Sequence, residues 1–387
     1  MIRSFSPSVF KWCPVATLIL ALSVLSPGVW ILPATASTEG ADSTAVVVLD
    51  DGPHLYRQND TSVIAFYLCG GEIVRRTMTV IDTLRFHGFC ADSLKEYVIT
   101  TVVPAVDSFS FEGVSRILAV SDIHGEYEHL VDILTAGGVI DDNGHWCWGD
   151  GHLVVVGDIF DRGNRVTECL WLIYRLQQEA RHTGGRVHFI LGNHELMVLR
   201  GDNRYVNDKY LKGIVRRSRI SHQDLYGPDM ELGWWLRSLP SIVRLNGIIF
   251  VHAGLSPAVM QRNLGLKDIN TVIRDGLDLR SSQVAFSDTV KFLFGSQGPL
   301  WYRGYHYEME NRYAMATVSQ LDSILGYYAA VAIVVGHTEV DSVLGLFDGR
   351  IIAVDVPVDE LGGLQALLWE NGRFYRVGPA GERQVMD

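Results

Sequence analysis

An α/β fold is what this 387-residue chain predicts, on three observations. Short β-branched runs recur, closed by glycine or by an acidic, amide or imidazole side chain. Helically spaced apolar residues lie between the first of them. Toward the carboxyl half the pattern changes to strands joined by Asn-Gly or Asp-Gly. Strand–helix alternation followed by hairpins describes mixed sheets covered by helices.

Taken in order, Arg3 and Lys11 precede an apolar stretch over 15–32, broken by Pro27-Gly28, and Ala34-Thr35-Ala36 fits a small-residue cleavage site. Residues 1–36 read as a signal peptide, or, left uncleaved, as a membrane anchor, because the stretch is long for a signal. Residues 37–112 read as a β-rich extension packed on the main domain, with Gly70-Gly71 as a two-residue hairpin between 63–69 and 72–81. Residues 113–387 form the main domain. There Tyr127, Leu130, Val131 and Leu134 share one helical face that ends at Gly137-Gly138, and Asn164 is placed to cap the next helix, which fades at Gly184-Gly185. Asn246-Gly247, Asp348-Gly349 and Asn371-Gly372 mark three later hairpins.

Charge and cysteines narrow the setting. A formal charge of −11 argues against a nucleic-acid partner, since phosphate backbones are held by basic surfaces. Export past an oxidising compartment makes a disulfide reasonable, and Cys69 with Cys90 is the favoured pair; Cys169, on the apolar side of a helix, suits a free buried thiol. No thiol-phosphatase loop is read into the chain.

Five apolar runs lead into candidate metal donors: 117–120 into Asp122 and His124, 153–156 into Asp158, 187–191 into Asn193, 248–251 into His252, and 332–335 into His337. Function in α/β proteins collects beyond the carboxyl ends of strands. Six oxygen and nitrogen donors, one of them a carboxylate with two oxygens, suit a two-metal site for Mn, Fe or Zn. Any one of them alone would be an ordinary turn former or core histidine.

Asp122-Ile123-His124-Gly125, Gly157-Asp158-Ile159-Phe160-Asp161-Arg162-Gly163 and Gly192-Asn193-His194-Glu195, in this order, resemble the phosphoprotein phosphatase branch of the calcineurin-like metallophosphoesterases. Trp148-Gly149-Asp150, Leu191, His252-Ala253-Gly254 and 299–304 resemble the Shewanella-like protein phosphatases within it, over roughly residues 113–378. Ser121 departs from the glycine usual there. The resemblance implies a metallophosphoesterase β-sandwich flanked by helices. It implies a first metal on Asp122, His124 and Asp158 and a second on Asp158, Asn193, His252 and His337, manganese foremost, with iron or zinc as alternatives. It implies water attacking phosphorus directly, His194 as general acid and Asp161 holding its imidazole. Arg162 and Arg303 carry planar guanidinium groups suited to phosphate oxygens. Glu195 has either a ligand-orienting or a plain structural use.

The expected activity is that of a phosphomonoesterase acting on phosphoserine, phosphothreonine or phosphotyrosine in proteins, or on small phosphoesters. One rival is a nucleotide hydrolase of the diadenosine tetraphosphatase kind, which would need a base-stacking pocket that the tyrosines of 200–235 could supply. Another is a non-catalytic phosphate-binding module, which intact ligands disfavour. The basic residues of 200–235 form either a lid that attracts phosphate or a solvated face. The expected location is the periplasm, with a membrane or secretory-pathway location as the alternative; a membrane partner enters only if residues 1–36 stay attached.

Overall fold

The computed structural model describes residues 50–80, 83–87, 90, 96–100, 108–279, 287–358 and 363–386. The segment expected to be a signal or anchor lies outside them. Among the described residues no helix is long and apolar enough to cross a membrane.

Two six-stranded sheets face one another. The first runs, from edge to edge, Arg383–Val385, Arg373–Val377, Ala366–Glu370, Arg116–Val120, His152–Val155 and Arg186–Phe189, the last three parallel. The second runs Leu344–Leu346, Ile351–Ala353, Ala332–Val335, Ile248–Val251, Ile242–Leu245 and Ser110–Phe111. Strand alternation decides which side chains meet between them. Ile117, Ala119, Val154, Val156 and Ile190 turn inward against Val243, Ile248, Phe250 and Val334, while Leu118, Val120, Leu153 and Val155 turn outward to a helical layer. Helices Tyr127–Ala136 and Val166–His182 belong to that layer.

The hairpins fall where the sequence puts them. Strands Ile242–Leu245 and Ile248–Val251 flank Asn246-Gly247, and Ala366–Glu370 and Arg373–Val377 flank Asn371-Gly372. Asp348-Gly349 lies between the paired strands Leu344–Leu346 and Ile351–Ala353. One cap differs. Helix Val166–His182 has Arg165 at its N-cap and no side-chain cap; Asn164 lies one residue before the cap position, its backbone carbonyl accepting from the Lys209 ammonium at 2.6 Å.

The N-terminal extension supplies a three-stranded sheet, Asp51–Asn59, Ser62–Cys69 and Glu72–Thr79, and a pair, Thr83–His87 with Glu96–Thr100. Cys69 and Cys90 are disulfide-bonded, and Cys169 is a free buried thiol. The first strand lies on the helical layer. Trp171 Nε1 donates to the Pro53 carbonyl at 3.0 Å, and Arg57 pairs with Glu231 at 2.5 Å.

Candidate metal centre

Most of the predicted donors gather at the carboxyl ends of the central strands in two groups, but the first group holds His194, predicted as the acid, and not Asp122. His124, Asp158 and His194 present ligand atoms within reach of one another, as do Asp158, His252 and His337, and all of these residues are buried. Asp158 is common to both groups, the place a bridging carboxylate would hold. Asn193 joins the second group through its side-chain oxygen, 2.8 Å from His252 Nε2. Asp122 sits beside the groups. Its Oδ2 is held by the Ser121 hydroxyl and by the His337 backbone N–H at 3.0 Å.

The donor set fits cations on chemical grounds. His252 Nδ1 faces the Val156 carbonyl at 2.8 Å and so carries a proton. In the neutral ring its Nε2 lone pair would face Asn193 Oδ1 and Asp158 Oδ2 at 3.2 Å, three acceptors that call for a proton or a cation between them. Burial opposes charging this imidazole, yet Asp158 pushes its pKa up to about 10, which shows how strongly positive charge is favoured there. Asp158 is itself held below the ordinary carboxylate range, against burial, by His252 and His194. His124 is oriented by its Nδ1–H, which donates to the Phe160 carbonyl at 2.7 Å.

His194 and Asp161 form a buried pair, Nδ1 to Oδ2, at 2.6 Å. This sets the tautomer and turns Nε2 toward Asp158, 3.9 Å away. Burial works against the imidazolium, but Asp158 and the hydrogen bond to Asp161 outweigh it and raise the His194 pKa. Asp161 therefore serves the histidine. The two arginines differ. Arg303 Nε donates to His337 Nε2 at 3.0 Å, which puts that guanidinium at the cluster, whereas Arg162 is half-exposed and pairs with Glu339 at 3.4 Å.

Glu195 is more than its motif position suggests. Its carboxylate accepts backbone N–H bonds from Asp158, Ile159 and Gly192 at 2.7–2.9 Å, and a longer one from Phe160. It pins the loop that carries Asp158 and Asp161. Burial and neighbouring Asp158 push its pKa up to about 7 while the amides oppose this. The loops are also strained. Asp122, His124, Asp158, Asp161, Arg162 and His337 all have left-handed backbone, φ +46 to +71°, a region costly for such side chains and common at functional sites. Gly192 is needed for close approach, since a Cβ there would lie 2.1 Å from Asp158 Oδ1. Asp355, buried and pushed up to about 9 by burial and by Asp122, faces the same region and no motif announced it.

Residues 115–341 match the family model of calcineurin-like phosphoesterases. The chain belongs to that family. The crystal structure of a cold-active protein-tyrosine phosphatase from a psychrophilic Shewanella species aligns with a TM-score of 0.78 at 36% identity, covering 87% of this chain and 99% of that one. Shewanella-like protein phosphatase 1 of Plasmodium berghei is 32% identical over 60% of this chain and 63% of its own length. Shewanella-like protein phosphatase 2 of Arabidopsis thaliana is 37% identical over 26% of each chain. The chain thus spans less than two thirds of these two relatives. Their similarity and the sandwich agree with the fold class read from the sequence. As a calcineurin-like phosphoesterase it is a hydrolase of phosphoesters that employs metal ions.

Two readings of the sequence need amendment. Cys69 is in fact followed six residues later by Arg75, the spacing of a thiol-phosphatase loop. The disulfide to Cys90 leaves Cys69 no thiolate, and Arg75 lies over the Phe66 ring, so the spacing is a hairpin coincidence. In the segment 200–235, Arg204 is held by Asp202 and Lys212 by Asp208, closer to a solvated face than to a phosphate funnel. Tyr210 and Tyr226 are buried in the core, while Tyr205 is half-exposed with its ring 5.4 Å from that of His194.

Proposed function

We propose that this phosphoesterase is a two-metal phosphomonoesterase acting on phosphoproteins, by direct attack of water and without a phosphoenzyme. The observation that carries the reading is the buried His194–Asp161 pair beside a carboxylate shared by two donor groups. Two cations held by Asp122, His124, Asp158, Asn193, His252 and His337 would neutralise phosphate charge and activate water. Manganese is the proposed metal, with iron or zinc as alternatives, since the nitrogen and oxygen donors suit all three.

The protein's own groups divide the remaining work. Arg303, and Arg162 once released from Glu339, bind phosphate oxygens through their forked N–H groups. His194 delivers a proton from Nε2 to the departing oxygen, and Asp161 keeps Nδ1–H engaged so that Nε2 is the end that faces substrate. The leaving group then lies on the His194 side, against the Tyr205 ring. A phosphotyrosine ring could stack there, so aryl esters join phosphoserine and phosphothreonine as candidate substrates. The dinucleotide reading has less support, because of the three tyrosines of 200–235 two, Tyr210 and Tyr226, are buried in the core and Tyr205 alone is left to stack a base.

The proposed location is the periplasm, following removal of residues 1–36; the Cys69–Cys90 disulfide is compatible with an oxidising compartment. Turnover of phosphoserine, phosphothreonine and phosphotyrosine peptides and of a dinucleoside polyphosphate, with metal analysis of the same sample, tests the activity. Hydrolysis of the dinucleotide alone would replace the reading. A mature terminus at Ser37 supports export, and full-length protein in the soluble cytosol contradicts it.

A further inference from the structure

Of the predicted histidine and aspartate ligands, Asp122 alone stands outside the two converging groups. It lies two residues beyond strand Arg116–Val120, with left-handed backbone, φ +50°. Its carboxylate is therefore only as well placed as the contacts that hold it. Two donors from the protein do so. The His337 backbone N–H reaches Oδ2 at 3.0 Å, and the Ser121 hydroxyl meets the same oxygen. The second contact belongs to this chain in particular, since Ser121 is where the motif departs from the usual glycine.

Packing leaves the serine little freedom. Its side chain is buried, and Oγ also lies 3.1 Å from the Val156 carbonyl, just past the neighbouring strand. Gly336 closes over it. A Cβ there would lie 1.9 Å from Ser121 Oγ and 2.3 Å from Asp122 Oδ2, so the backbone leading into His337 packs directly on both groups. A hydroxyl has one proton to give, and two acceptors face this one. The Val156 carbonyl already receives the Nδ1–H of His252 at 2.8 Å. A ligand carboxylate is ionised, and a hydrogen bond to an ionised acceptor is roughly twice as strong as one between neutral groups. The Ser121 proton therefore goes to Asp122. Oδ2 is then engaged by two donors, one from each of the loops that meet there.

We propose that Ser121 is a positioning residue for the first metal, its hydroxyl holding the Asp122 carboxylate in place. Loss of a partner that orients a metal ligand typically costs about 10–100-fold in metal affinity. With serine, this chain holds its first ion more tightly than it would with the usual glycine. The inference rests on the two-metal reading, with Asp122, His124 and Asp158 around the first ion.

The test measures manganese binding rather than turnover. The full chain, stripped with chelator, is titrated with manganese by calorimetry so that two binding steps are resolved. Ser121→Ala removes only the hydroxyl. It should weaken one step about 10-fold and leave the other within about 2-fold. Ser121→Gly, which restores the usual residue, should do the same, a second route should the alanine variant fold poorly. In an Asp122→Ala protein, which keeps the second ion, Ser121→Ala should leave the remaining step within about 2-fold. Unchanged affinities in both serine variants would overturn the proposal. So would a further loss in the Asp122→Ala background, by placing the effect on Val156 and His252. Equal weakening of both steps would reduce Ser121 to a structural part of the loop. Native protein that binds fewer than two ions would instead sink the two-metal reading itself.

Discussion

Two groups of buried histidines lie in the sandwich, one beyond the strand ends and one within the strands. At the carboxyl ends, His194 and His252 face Asp158 and Asp161, and their pKa values are raised. Within strands His152–Val155 and Arg186–Phe189, His152 and His188 face each other at 3.1 Å beneath Phe111, with Arg186 nearby, and burial lowers both pKa values, His152 to about 4. Both groups are buried and both are paired. Contact with Asp158 and Asp161 makes the difference for His194 and His252; His124 and His337 in the same centre, like His152 and His188 away from it, have pKa values lowered chiefly by burial.

The strongest way to break this contrast is to remove the shared carboxylate charge. Asp158→Asn should abolish turnover and lose metal from both positions, with a larger effect than loss of any ligand serving one position. Near-normal activity with normal metal content would refute the shared-ligand assignment. Next, His194→Ala should keep its metals and lose roughly 10²–10⁴-fold on alkyl phosphates, with a much smaller loss on aryl phosphates that leave without a proton. Equal losses would remove the acid role.

The smallest expected effect concerns the neutral pair. Imidazoles with depressed folded pKa values take up protons more readily when unfolded, so their contribution is fully present above the unfolded value and is lost as pH falls toward the folded one. For His152 that window runs from about 6.5 down to about 4. Thermal melts between pH 7 and 4 should fall more steeply for the native protein than for a His152→Gln/His188→Gln variant, while activity near pH 7 is shared. Parallel curves would mean that the pair does not titrate in this window.

The sequence makes one end of the molecule more readable than the other. Asn246-Gly247 and Asn371-Gly372 adopt left-handed backbone, φ +48 to +76°, where those residues pay little. Local chemistry therefore announces the hairpin. At the metal centre the same backbone region is occupied by Asp122, His124, Asp158, Asp161, Arg162 and His337, against local preference. Motif order identified these residues through a resemblance, but no propensity could reveal that they are strained, because the strain is imposed by packing. The four amides on Glu195 and the Asp355 carboxyl were hidden for a related reason. Their partners are distant in sequence, and a residue-by-residue reading has no spacing rule for them. Asn164 is not the cap because the helix begins one residue later, with Arg165 at its N-cap.

Metal dependence tests the central claim most directly. Purified protein should be stripped with chelator, shown to remain folded, and assayed on a phosphopeptide before and after titration with manganese. The two-metal account predicts no turnover in the stripped protein and recovery that saturates near two metal ions per chain. Undiminished hydrolysis by folded, metal-free protein would contradict it.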